Sequence, residues 1–221
     1  MKQQALFDSL CPNLIKNETV TGLLLMGSVA HGTAMPDSDL DILILGTDEK
    51  FIAKTIDGIL VEYIYTTPQK ALQKLTDSDM ELYHYLGSRI VYDKDGELEN
   101  LMSFAAAKYS NFVVSQKTKT QISHWLLSVK LKLLAAFAAN DAVKINFLTA
   151  TNSWKIIEAL WAVNGKPVPP SGSVLRFIGE LSIVPFDDWF ARLFTGDDAA
   201  KANDMLRMID WALLKLETAQ Y

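Results

Sequence analysis

The sequence predicts an α+β fold, with a small mixed or antiparallel sheet flanked by helices in its first half and an all-α bundle in its second. Three observations carry this. Two short apolar runs, residues 23–26 and 42–45, are bounded by Gly and Asp instead of continuing at helical period, and so read as buried strands. Asp57-Gly58 separates two further runs, residues 51–56 and 59–65, as a two-residue hairpin turn does. After about residue 97 no convincing strand occurs, and apolar residues recur at helical spacing.

Taken in order, residues 3–16 place Leu6, Leu10 and Leu14 at four-residue spacing with Phe7 beside them, an amphipathic helix expected to be interrupted near Pro12. The two buried strands and the hairpin follow. Pro68 opens a helix over 69–75, residues 80–86 are mixed, and 87–96 give a short strand and a turn. A connecting helix is expected from Glu97 to about Ser115. Beyond it, Trp125, Val129, Leu133 and Phe137, with Leu126 and Leu134, form one apolar stripe, and Phe147, Trp154, Ile157 and Trp161 form the next. Asn164-Gly165-Lys166-Pro167 stops that helix, and shorter helices over 174–181 and 186–194 lead to a last one over 199–216. The expected domains are 1–96 and 97–221.

The chemistry is concentrated between the first two strands. Gly27 and Ser28 leave the first strand, and Val29-Ala30-His31 makes one helical turn ended by Gly32, so N–H groups and the Ser28 hydroxyl converge as at an anion site. Asp39 and Asp41 stand two residues apart at the start of the second strand, which puts both carboxylates on one face. Fixed side by side, they repel unless a cation lies between them. A hard divalent ion meets that need, and Mg²⁺ takes a few carboxylates together with phosphate oxygens and water.

Gly27-Ser28-x-Ala30-x-Gly32 followed by Ser38-Asp39-x-Asp41 resembles the nucleotidyltransferase motif of the DNA polymerase β superfamily, in its branch of small stand-alone and antibiotic-modifying enzymes. The resemblance fixes seven positions in fifteen residues. It implies transfer of a nucleoside monophosphate from a nucleoside triphosphate to an acceptor hydroxyl, with two Mg²⁺ ions, or Mn²⁺ in their place, on Asp39, Asp41 and a third acid. Gly27, Ser28, His31 and Ser38 would contact the nucleotide. Glu62 lies mid-strand with Leu60 and Ile64 on its face, so by itself it is either buried with a cation or merely solvated. The resemblance favours Glu62 as the third acid over Asp57, which the turn occupies. His31 stands where many relatives carry a basic residue beside the phosphates, and the alternative is that it fills space on the short helix. Residues 87–96 resemble the segment that closes the family's catalytic domain, and residues 164–170 resemble a loop of its helical domains. Several of those members carry a Lys or an aromatic after the prolines, where this chain has Ser171-Gly172-Ser173.

Composition limits the partners. A formal net charge of −5 argues against gripping a nucleic-acid backbone, and 49% hydrophobic residues supply a real core. The single Cys11 excludes an internal disulfide, and neither a signal peptide nor a membrane span is expected, which reads as a soluble cytoplasmic protein. The acceptor is expected to be a small molecule, aminoglycoside- or lincosamide-like, gripped against the helical half. The competing readings are a catalytically silent nucleotide-binding module, a toxin-like enzyme acting on protein or tRNA, and a helical half that only stabilises the fold or makes a homodimer. His84 and His124 lack ligand spacing, the tryptophans are expected in the core, and Lys130, Lys132 and Lys155 are expected to be solvated.

Overall fold

In a computed structural model that describes residues 2–218, the chain divides into two compact units, one ending at Asn111 and the other beginning at Phe112. The first unit is built on a five-stranded mixed sheet in the order β3-β4-β2-β1-β5. Its strands are β1 (Val20–Leu25), β2 (Leu40–Gly46), β3 (Lys50–Ile56), β4 (Ile59–Thr66) and β5 (Arg89–Asp93). All neighbours are antiparallel except β2 and β4, which run parallel with Asp41 in register with Glu62.

The apolar runs are continuous because both faces of the central strands are covered. One face, Leu23, Leu25, Leu40, Ile42, Ile44, Val61 and Tyr63, packs against Phe7 and Cys11 of α1 (Lys2–Ile15). The other face, Leu24, Met26, Leu43 and Leu45, packs against three helices, α3 (Pro68–Asp77), α4 (Leu82–Tyr85) and α5 (Glu97–Ser110). Between β1 and β2 lies α2 (Gly27–His31), ended by Gly32 in the left-handed conformation at φ 70°. The hairpin turn is as expected, with Asp57 at φ 51° and Gly58 at φ 77°, the two positive angles of a type I′ turn.

The second unit contains α6 (Gln116–Ala138), α7 (Ala142–Val163) and α10 (Asp198–Thr218), packed on one another, with short helices α8 (Val174–Phe177) and α9 (Trp189–Phe194) between the last two. No strand occurs in it among the described residues.

Four expectations are corrected. Pro12 does not interrupt α1, because it sits in the last turn of a helix that runs on to Ile15. The face that α1 buries is Gln3, Phe7 and Cys11, and Leu6, Leu10 and Leu14 flank it half-buried. The division falls after Asn111 and not after residue 96, since Leu98, Leu101 and Ala105 of α5 belong to the sheet's core. In α6 the buried stripe is Ile122, Leu126, Val129, Leu133 and Ala136, while Trp125 is 52% and Leu134 45% exposed; Phe147 of α7 is likewise exposed. Of the tryptophans, Trp161 and Trp189 are core residues.

Candidate active site

The antiparallel pairing of β1 with β2 brings the end of one strand to the start of the next. Leu25 pairs with Ile42, and Met26 N–H donates to the Asp41 carbonyl at 3.0 Å, so the chain leaving β1 turns directly beside the Asp41 side chain. Gly27 is at φ +64°, and a Cβ there would stand 2.3 Å from Asp41 Oδ2. Only glycine allows that approach. The N-terminal turn of α2 has no side-chain cap, and Ser28 is half-buried within it.

Register then sets the acids. Asp41 and Glu62 are partners across the parallel pair, and Ala53 of β3 continues the same row beyond Glu62. Neighbouring strands lie roughly 4.8 Å apart, which is near enough for two carboxylates to share one ion. Both acids are half-buried. The packed face of β4 is Ile59, Val61 and Tyr63; Leu60, on the Glu62 face, is 43% exposed, so the row is open to solvent on its β3 side. Asp39 is exposed and precedes β2 by one residue.

Among the described residues no three acid, His or Cys side chains converge as a ready metal cage. The donors nevertheless fit Mg²⁺ by chemistry. They are hard carboxylate oxygens, few in number and open to solvent, and Mg²⁺ completes its shell with substrate phosphate and water.

The other expected nucleotide contacts are partly committed elsewhere. The Ser38 hydroxyl accepts from Met35 N–H at 2.8 Å, and Ser38 N–H donates back to the Met35 carbonyl at 3.0 Å, closing the turn before Asp39. The His31 ring packs against the loop between α4 and β5, where a Cβ on Gly87 would meet its Cε1 at 2.1 Å. Asp57 serves the hairpin, and its carbonyl accepts from Lys2 Nζ at 2.7 Å. His84 pairs with Glu81 at 3.2 Å, and this hydrogen bond holds the Glu81 carboxyl below its ordinary range. In the second unit Lys130 is paired with Asp210 and Lys155 with Glu158. Trp125 donates its indole N–H to Asn152 Oδ1 at 2.9 Å and, with His124, Gln121, Thr118 and Lys155, lines an open cavity of about 550 Å³.

Sequence reasoning missed Gln3. It is 2% exposed, and its side-chain amide faces the loop that carries Asp39. The available signal was a polar residue in phase with Phe7 and Cys11 on the buried face of α1.

The candidate site is thus a Gly-Ser turn laid against an acid row on a small mixed sheet. Residues 11–104 match the family model of the nucleotidyltransferase domain, and a helical part follows. No curated protein matches the chain at a significant level. Among solved structures, a nucleotidyltransferase-like protein from Exiguobacterium sibiricum is similar at 10% identity and a TM-score of 0.49, over 97% of this chain and 75% of that one. A spectinomycin adenyltransferase from Enterococcus faecialis, solved with ATP and spectinomycin, is similar at 14% identity and a TM-score of 0.31, over 98% and 99%. No helix among the described residues is long and apolar enough to cross a membrane.

Proposed function

We propose that the protein is a cytoplasmic, metal-dependent enzyme that moves a nucleoside monophosphate from a nucleoside triphosphate to a hydroxyl of a small-molecule acceptor. The observation that carries this reading is the register that sets Asp41 beside Glu62, with Gly27 held against the Asp41 carboxylate. Asp39, Asp41 and Glu62 would hold two Mg²⁺ ions, with Mn²⁺ as a substitute; bound there, they neutralise the triphosphate and lower the pKa of the acceptor hydroxyl. The backbone of Gly27 and the Ser28 hydroxyl orient the β- and γ-phosphates, a contribution of positioning. Glu62 accepts the proton of the acceptor hydroxyl. The acceptor oxygen bonds to the α-phosphorus as the bond to the bridging oxygen breaks, and pyrophosphate leaves.

The acidic net charge favours a small acceptor, cationic ones included, over nucleic acid. The helical part supplies acceptor recognition in this reading, with choice of acceptor set by residues after about 116. The test is incubation with Mg²⁺, each labelled nucleoside triphosphate and a panel of aminoglycosides, lincosamides and other hydroxyl compounds. Pyrophosphate release that requires both an acceptor and Asp39 is expected. Binding of nucleotide with no transfer to any class of acceptor, protein and tRNA included, would favour the silent module instead.

A further inference from the structure

We propose that Gln3 is a positioning residue of the candidate site, a clamp on the loop that delivers Asp39; the inference rests on the nucleotidyltransferase reading. Gln3 Nε2 donates to the carbonyls of Met35 at 2.8 Å, Pro36 at 3.2 Å and Ser38 at 3.1 Å. An amide nitrogen has two N–H donors, so three carbonyls converge on a single group. Burying an amide among apolar side chains is unfavourable unless it is hydrogen-bonded, and Gln3 lies on the α1 face that buries Phe7 and Cys11. A residue chosen for packing alone would be apolar.

The place of contact matters more than the number of bonds. The segment from Gly32 to Asp39 has no helix or strand of its own, and within it the short Met35–Ser38 turn is closed by two bonds. The Ser38 carbonyl belongs to the peptide unit whose nitrogen is that of Asp39, so holding it fixes the plane from which the Asp39 backbone departs. Gln3 reaches that carbonyl across 35 residues of sequence. Its own helical turn is tethered on both sides, by Lys2 Nζ to the Asp57 carbonyl at 2.7 Å and by Arg89 Nη2, which donates to Gln4 Oε1 at 3.0 Å. The first turn of α1 therefore acts as a fixed post, and the acid-bearing loop is tied to it.

The experiment uses the full chain and two substitutions. Gln3→Glu keeps the shape but, ionised, presents no donor to the three carbonyls; Gln3→Met keeps volume and apolar packing, and with them the fold, while also removing the donors. Backbone hydrogen exchange of metal-free protein should rise roughly tenfold or more over residues 33–39 in both variants, as expected when one or two neutral hydrogen bonds are lost, with β1 and β2 unchanged. Titration of Mn²⁺ in the presence of a non-hydrolysable nucleoside triphosphate should weaken on the order of tenfold in the same variants, since Asp39 no longer sits ready. KM for the metal nucleotide should rise while KM for acceptor stays put, a split that general destabilisation would not produce.

Unchanged loop exchange in both variants overturns the proposal. So does faster exchange with unaltered Mn²⁺ affinity, because the clamp would then hold a loop and not a ligand. Failure of the unmodified protein to bind Mn²⁺ and nucleotide at all would strike the nucleotidyltransferase reading and the metal role together, and the exchange arm would still decide whether Gln3 holds the loop.

Discussion

Glycine at position 27 is dictated by its neighbour. Its φ of +64° is costly for any side chain, and the space a Cβ would fill is occupied by Asp41 Oδ2. Gly27→Ala should therefore cost about 1–2 kcal/mol from the backbone alone, a loss of a few degrees in Tm by calorimetry. The pushed-aside carboxylate should remove transfer as well. The acids themselves divide by role: Asp39→Asn and Asp41→Asn should abolish transfer and Mg²⁺-dependent nucleotide binding while the chain stays folded, because removing like charge from an acidic row relieves repulsion. Glu62→Gln should leave nucleotide affinity within a few-fold and lower kcat roughly 10²–10⁴-fold, the size expected for loss of a general base. Near-normal turnover in any of the three would end that residue's assignment. Cys11 makes a separate, pH-dependent contribution. Burial, reinforced by the nearby Asp8 charge, pushes its thiol up from 9.0 to about 11. The folded state then holds the proton more tightly than the unfolded one, so this contribution is complete below pH 9 and is lost as pH rises through about 11. Comparing thermal unfolding of Cys11→Ala with the parent between those limits isolates it, and the parent should show the steeper alkaline loss.

Strands announced themselves in the sequence because their apolar runs are covered on both faces, and the hairpin because Asp57-Gly58 has few conformations other than the turn it makes. Gly58→Val, forced to φ 77°, should destabilise by about 1–2 kcal/mol and lower activity, since β4 carries Glu62 in a register that the turn helps to set. Thermal unfolding and turnover measured on one preparation check both. The helices were legible in period but not in phase. α6 carries Trp125, Val129, Leu126, Leu133, Leu134, Leu127 and Leu131 over more than half its circumference, so spacing alone left the buried side open, and Ile122, not Trp125, leads the packed stripe. The Gly27-Ser28 turn and the acid pair were readable for the opposite reason, since their chemistry is local. Gln3 and the packing of His31 on Gly87 were hidden because each depends on a partner more than thirty residues away.

At the scale of the whole molecule, the metal of the proposed reaction would be a reactant's companion and not a structural support. Leu23, Leu24, Leu25, Ile42, Ile44 and Leu45 are at most 1% exposed and are covered by apolar side chains of the flanking helices, away from any carboxylate of the candidate site. Chelation with EDTA should stop transfer and leave circular dichroism and Tm within about 2 °C, because there is no large binding energy linked to folding. A drop of ten degrees would make the ion part of the fold.

The strand order has a consequence for how the chain is made. β1 has its β2 partner available within roughly the next twenty residues of chain, but its other edge waits for β5, whose first residue is Arg89. Every acid of the candidate site has then left the peptidyl-transferase centre while the edge Val-Thr-Gly-Leu-Leu-Leu still has backbone groups without partners. A nascent chain ending before residue 89 offers that edge, and the apolar face later covered by Leu98 and Leu101, to any neighbouring strand. From the emergence of β1 until β5 has emerged and paired with it, that edge is open to misassociation, and a chaperone would have an edge to shield.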